Sequence, residues 1–297
     1  MSWLQLITRT NANEADLIAE RLEDSGASSV TCMQGNDDGQ EGESCVYEPD
    51  LGETPMWADT QVTGLFDTNM NLEILMNQLK GDFPNAQQWQ VSPLEEKDWT
   101  REWMRYFEPM RFGRRLWICP SWQPAPEKSA VNIMLDSGLA FGTGTHPTTA
   151  LCLEWLDHYN MSDLTVIDYG CGSGVLGIAA LKLGAKKLIS IDNDPQALQA
   201  TWDNAKKNQV SDRIEILSNE DELNLQADVV LANILANPLI ELAPTLANLT
   251  RPQGCIVLSG ILGDQSQRLM DAYHSTFSMD PITIKKQWVR MTGVRHP

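Results

Sequence analysis

Apolar and polar positions divide the chain into short strand-like runs separated by amphipathic helices. Trp3 to Thr8 has strand character, and Asn13 is placed to cap a helix through Ser25 that turns Ala15, Ile18 and Leu22 to one face and stops at Gly26. Ala27 to Cys32, Ser44 to Tyr47, Gln61 to Phe66 and Gln87 to Leu94 have the patterning of strands. Met70 to Leu79 forms a helix with Leu72, Leu75, Met76 and Leu79 inward. Two helices interleaved with four or five strands predict a small ferredoxin-like α+β domain over residues 1–94, in which nothing has a catalytic pattern. Gly35 to Ser44, polar, acidic and glycine-rich, is expected to be a mobile loop.

From Glu95 to Phe107 the pattern changes. Trp99, Trp103 and Phe107 recur at i, i+4 and i+8 among charged residues, which predicts a connecting helix over 95–107 with an aromatic stripe. A second, larger α/β domain is expected over 108–297. Leu116 to Cys119 and Val131 to Leu135 are strands, and Pro147 suits the first turn of a helix running to about His158. Val166 and Ile167 belong to a strand, a glycine turn follows, Val175 to Leu183 is a helix, and Leu188 to Ile191 is a strand ending in Asp192. Further strands are expected at Ala227 to Ala232 and Cys255 to Ser259, helices at Pro238 to Leu249 and Gln265 to Phe277, and a closing strand pair at Ile282 to Thr292.

The stretch from Thr165 to Pro195 concentrates the chemistry. Gly170, Gly172 and Gly174 let a ligand approach the backbone closely, and Asp192, 20 residues after Gly172, sits where a carboxylate in a βαβ unit accepts hydrogen bonds from a ribose diol. Gly172-Ser173-Gly174-Val175-Leu176-Gly177 fits the dinucleotide spacing, so NAD remains open on that count. Asp168 weighs against it, because a carboxylate at the strand end repels a pyrophosphate and attracts a cationic ligand. Thr145 and Thr149 lie in a run of glycines and threonines leading into a helix start, whose N–H groups and hydroxyls can hold a carboxylate. Asn233 ends a central strand, where its side-chain oxygen can accept an amine N–H; a plain strand-end asparagine is the alternative. His146 is a possible general base or a residue that holds the loop's shape, and Cys171 is a small packing residue.

Charge narrows the partners. With 22 basic and 40 acidic residues the net charge is −18, which repels phosphate backbones and favours a basic protein partner over direct nucleic-acid binding; only short basic stretches such as Arg111 to Arg115 oppose it. The six cysteines form no C-x-x-C pair, so neither a metal site nor a disulfide framework is expected. No signal peptide is visible and no apolar run reaches about 18 residues, so the expectation is a cytoplasmic protein without a membrane partner.

Asp168-x-Gly170-x-Gly172-x-Gly174 resembles the first motif of the Rossmann-like S-adenosylmethionine methyltransferases, and Asp192 matches their ribose acid. Together with Leu135 to Thr149 and Asn233-Ile234-Leu235-Ala236-Asn237-Pro238-Leu239, the chain closely resembles the methyltransferases of large-subunit ribosomal protein eleven. The resemblance covers nearly the whole chain, including Trp3-Leu4-Gln5-Leu6, Gly64-Leu65-Phe66, Asp98-Trp99-Thr100-Arg101-Glu102-Trp103 and Met110-Arg111-Phe112-Gly113. It implies a small N-terminal domain that recognises the ribosomal protein and a seven-stranded catalytic domain whose last strand is antiparallel. It also implies transfer of methyl groups from S-adenosyl-L-methionine to lysine side chains and the N-terminal α-amine. Thr149, Gly170, Asp192 and Asn233 correspond to cofactor contacts, joined here by Thr145, Asp168 and Gly172, with Asn233 the catalytic candidate. Ser137 stands where the family usually has proline, which leaves the loop looser, and Asn193 where an apolar residue is commoner. The alternatives are a nucleic-acid amine methyltransferase, whose Asn/Asp-Pro-Pro-Tyr/Phe motif is replaced here by Asn233-Ile234-Leu235-Ala236, a nucleotide-dependent oxidoreductase, and a cofactor-binding module without activity.

Overall fold

The structure is a computed structural model that describes residues 3–35, 57–94, 108–135, 146–218 and 225–297. They fall into two compact units, Met1–Trp103 and Met104–Pro297. The expected loop beyond Gly35, the strand Ser44 to Tyr47 and the connecting helix 95–107 lie outside the described residues.

The first unit runs β1 (Trp3–Thr10), α1 (Ala12–Asp24), β2 (Ser29–Gln34), β3 (Thr60–Asp67), α2 (Leu72–Asp82) and β4 (Gln87–Leu94). Its four strands pair antiparallel in the order β2-β3-β1-β4. Alternation along β1 sends Leu6, Thr8 and Thr10 inward, and Leu6, Val62 and Phe66 join Ile18 and Leu22 of α1 and Leu72 and Leu79 of α2 in one core. The cap of α1 is Asn11, not Asn13. The Asn11 side-chain oxygen accepts from the backbone N–H groups of Asn13 (3.0 Å) and Glu14 (3.2 Å), so Asn13 is already inside the first turn.

The second unit opens with a small sheet of β5 (Met110–Phe112), β6 (Leu116–Cys119) and β7 (Val131–Met134), of which the three-residue β5 is too short to show periodicity. Asp157, 3 % exposed and near the end of α3 (Pro147–His158), holds the β5–β6 turn. Its carboxylate accepts from the backbone N–H groups of Arg114 (2.6 Å) and Arg115 (3.1 Å), and the turn's Gly113, at φ 63°, leaves no room for a Cβ beside it. Asp157→Ala orphans both donors and is expected to lower the unfolding free energy by about 2–4 kcal/mol, read from denaturant titration.

The large sheet contains β8 (Thr165–Tyr169), β9 (Lys187–Asp192), β10 (Ile214–Ser218), β11 (Ala227–Asn233), β12 (Thr250–Leu262), β13 (Phe277–Met279), β14 (Thr283–Lys285) and β15 (Trp288–Arg295). Its order is β10-β9-β8-β11-β12-β15-β13, with β14 also paired to β15. The first five are parallel, and β15 lies antiparallel to its neighbours. The sheet thus has eight strands where seven were expected; the extra one, β14, is a three-residue arm of the β14–β15 hairpin. From β8 the chain steps outward to β9 and β10, then returns to the opposite side of β8 with β11. That reversal opens a crevice at the carboxyl ends of β8 and β11.

Three expected helices and strands differ in extent. The helix from Pro238 is two, α6 (Ala236–Glu241) and α7 (Ala243–Leu249), because Pro244 has no N–H to continue the ladder. The helix from Gln265 is α8 (Ser266–Tyr273); Leu269, Tyr273 and Phe277 continue a four-residue spacing, yet Phe277 begins β13. The strand Cys255 to Ser259 extends over all of β12. Helices α4 (Val175–Lys182) and α5 (Pro195–Lys207) flank β9 in sequence. Helix α5, amphipathic with Ala197, Thr201, Asn204 and Ala205 buried, and the half-buried β10 are not among the elements expected from sequence.

Candidate functional site

The crevice is a cavity of about 560 Å³ walled by the ends of β8, β9 and β11, the start of α3 and the last hairpin. Of the residues singled out from sequence, Thr149, Asp168, Gly170, Gly172, Asp192 and Asn233 line it together; Thr145 lies outside the described residues.

The floor is the glycine turn. Gly170, Gly172 and Gly174 have φ of 72°, 54° and 76°, the left-handed region that costs side-chain-bearing residues most. The N–H groups of Gly170 and Cys171 donate to the Ile191 carbonyl at 2.8 and 3.1 Å, which ties the turn to the end of β9. A Cβ at Gly170 would collide with the Ile234 side chain, and one at Gly260 with the Ile234 backbone, so two glycines enclose Ile234. Burial raises the pKa of the Cys171 thiol, whose sulfur lies 3.3 Å from the Thr201 hydroxyl oxygen; it packs rather than reacts.

Two carboxylates face this floor. Asp192 accepts from Gly172 N–H (2.9 Å) with one oxygen and from Asp194 N–H (3.0 Å) with the other, which fixes the carboxylate plane and leaves lone pairs on both oxygens for a diol. Asp168, 2 % exposed, accepts from Gly177 N–H at 2.9 Å. Burial lifts its carboxyl to about 7, opposed by the Gly177 hydrogen bond and assisted by the nearby Asp192 charge.

Asn233 stands at the end of β11. Its amide nitrogen reaches the Thr149 hydroxyl at 3.4 Å, while its buried side-chain oxygen has no hydrogen-bond partner among the described residues. A buried acceptor left without a donor costs free energy, and this one belongs to a residue that lines the cavity. His146 caps α3: its Nδ1 accepts from Thr148 N–H (3.4 Å) and lies 2.7 Å from the Thr148 hydroxyl. Burial holds its pKa below the ordinary value, and its ring meets Trp288 edge to face with centroids 4.7 Å apart. His146→Gln is expected to lower stability by about 0.5–2 kcal/mol through the lost cap while leaving the pH profile of turnover unchanged; loss of the acidic limb, where a general base is protonated and inactive, would make it the base.

Sequence reasoning missed the apolar walls, Tyr169, Ile234, Leu235 and Trp288. Ile234 has a signal in hindsight, the glycine after the β12 core, whereas Trp288 reaches the cavity from the final hairpin without any local mark. Apolar walls for a planar base, acceptors for a diol, a buried acid for a cation and an unpaired amide oxygen fit S-adenosylmethionine beside an amine.

Comparison with known proteins agrees. The family model for Ribosomal protein L11 methyltransferase (PrmA) matches residues 2–296. A protein named Ribosomal protein L11 methyltransferase from Histophilus somni is 51% identical over 296 residues, 99% of this chain and 98% of that protein. One of the same name from Tolumonas auensis is 48% identical over 296 residues, covering 99% of each. A solved structure described as ribosomal protein L11 methylase from Lactobacillus delbrueckii subsp. bulgaricus has a TM-score of 0.57 and 31% identity, over 64% of this chain and 100% of that one. The chain belongs to the ribosomal protein L11 methyltransferase family.

Proposed function

We propose that this protein is an S-adenosylmethionine-dependent protein N-methyltransferase that modifies lysine side chains and the N-terminal α-amine of ribosomal protein L11. The bound cofactor supplies an electrophilic methyl on a sulfonium. The chain's own work is to align an amine with it, exclude water and dispose of a proton. A lysine amine with pKa near ~10.4 arrives mostly charged, an α-amine near ~7.7–8.0 closer to neutral. The oxygen of Asn233, without a partner among the described residues, is the observation that carries the reading: it accepts an amine N–H and directs the lone pair, without the negative charge that would hold the amine protonated. Asp192 takes the ribose diol, Gly170 and Gly172 admit the cofactor to the backbone, Thr149 contacts the cofactor and steadies Asn233, and Asp168 faces the cationic methionine end, with Thr145 assigned to the methionine carboxylate by its run of glycines and threonines.

Residues 1–94 serve as the substrate-recognition domain, 95–107 as the linker and 108–297 as the Rossmann-like catalytic domain. The strand order β2-β3-β1-β4 with two interposed helices supports the ferredoxin-like reading of the first. A net charge of −18 suits a basic ribosomal protein and disfavours nucleic acid. Among the described residues no helix is long and apolar enough to cross a membrane.

The test is transfer of labelled methyl to unmodified large subunits taken apart after reaction. Label in one basic protein supports the proposal, and label in ribosomal RNA contradicts it. Asp168 adds a pH signature. Its folded pKa of about 7 lies above the ordinary 3.8, so the group favours the cofactor-free fold at low pH and this contribution is lost as pH rises through about 7. Attraction for a cationic ligand runs the opposite way, so calorimetry is expected to show affinity for S-adenosylmethionine strengthening from about pH 6 to about pH 8, and a flatter profile for Asp168→Asn.

A further inference from the structure

Backbone hydrogen bonds tie the glycine turn to β9, but Gly170, Gly172 and Gly174 all have positive φ and no side chain of their own to lock them. Helix α5 grips it from behind with buried polar residues three apart, Thr201 and Asn204, 0 and 6 % exposed. The Thr201 hydroxyl donates to the Gly172 carbonyl at 3.0 Å, and the Asn204 amide donates to the Ser173 carbonyl at 2.9 Å. The Thr201 methyl also occupies the space a Cβ at Gly174 would need, 2.8 Å away. Neither residue lines the cavity. Yet the same Gly172 whose carbonyl Thr201 holds gives its N–H to Asp192, and Asp192 connects through Asp194, the cap of α5, back to the helix that carries Thr201 and Asn204. Burying a hydroxyl and an amide is costly unless they are bonded, and here the turn carbonyls satisfy them.

We infer that Thr201 and Asn204 are positioning residues for cofactor binding, which preset the glycine turn and the Asp192 carboxylate before the cofactor arrives. The inference rests on the proposed S-adenosylmethionine site. A turn fixed in advance spares the binding step the ordering of several glycines, so the effect falls on affinity and not on the methyl-transfer step.

The test is calorimetric titration with S-adenosylhomocysteine alongside steady-state kinetics and thermal melting. Thr201→Val keeps shape but removes the donor, and Asn204→Ala removes the other. Each is expected to raise Kd, and KM for S-adenosylmethionine, about three- to tenfold, with kcat at saturation unchanged. Thr201→Ser, which keeps the hydroxyl, is expected to bind as the native protein does. Arg213→Ala loses two hydrogen bonds to the Leu181 and Ala185 carbonyls at the far end of α4 and serves as a destabilised control whose Kd stays native. If Thr201→Val and Asn204→Ala melt earlier, like the control, but bind as tightly as the native protein, the residues are merely structural and the inference is overturned. If Thr201→Val does not fold, Asn204→Ala decides alone. Failure of the native protein itself to bind S-adenosylhomocysteine removes the proposed site, and the inference with it.

Discussion

Asn233→Ala is expected to lower kcat about a hundredfold or more while cofactor affinity changes far less. The substitution deletes a buried side-chain oxygen that has no partner among the described residues, on a residue that lines the cavity at the end of β11. Removing one preorganised donor from an oxyanion hole costs on the order of 10²–10³ in rate, and an acceptor held ready for the reacting amine in a site screened from water is expected to act on the same scale. The cofactor loses one contact but retains Asp192 and the glycine turn, so the loss appears chiefly in kcat and only slightly in the Kd of S-adenosylhomocysteine. Asn233→Asp separates alignment from charge. A carboxylate there keeps the acceptor but favours the protonated amine, so activity survives in part with its optimum moved to higher pH. Native turnover in Asn233→Ala would leave the residue a plain strand end.

Asp192→Ala has the complementary signature, a cofactor Kd raised about a hundredfold or more. The side chain has two tasks: its oxygens accept from Gly172 and Asp194 N–H groups, and their remaining lone pairs face the cavity. Two ribose hydroxyls on a carboxylate at about 1.5–3 kcal/mol each account for a loss of that size, before any loosening of the turn is added. Calorimetry with S-adenosylhomocysteine reads it directly. Asp192→Asn, which keeps one acceptor oxygen, is expected to fall between the two. A native Kd in Asp192→Ala would place the nucleoside elsewhere.

The chemistry at the glycine turn is legible in sequence because it is local. Asp168, Gly170, Gly172 and Asp192 come from one strand-turn-helix-strand segment, where glycine and carboxylate at fixed spacing carry their meaning without tertiary information. Asn233 is legible only as the residue after an apolar strand; that its oxygen is left without a donor is visible once β11 is seated beside β8. Trp288 arrives from the closing hairpin more than fifty residues later, and no periodicity marks it. Thr201 and Asn204 are hidden for a different reason: they are ordinary polar residues in a segment where no element is expected from sequence, and their burial depends on the turn carbonyls they meet. Boundaries failed where local chemistry overrode periodicity, as at Pro244, or where periodicity outlasted the helix, as from Tyr273 to Phe277.

Mass analysis of ribosomal protein L11 is the decisive measurement. L11 purified from cells lacking the activity is incubated with this protein and S-adenosylmethionine. The predicted result is a gain in increments of one methyl group, located by fragmentation on lysine side chains and the N-terminal α-amine and absent with Asp192→Ala. L11 of unchanged mass, from a preparation in which the cofactor still binds, would contradict it.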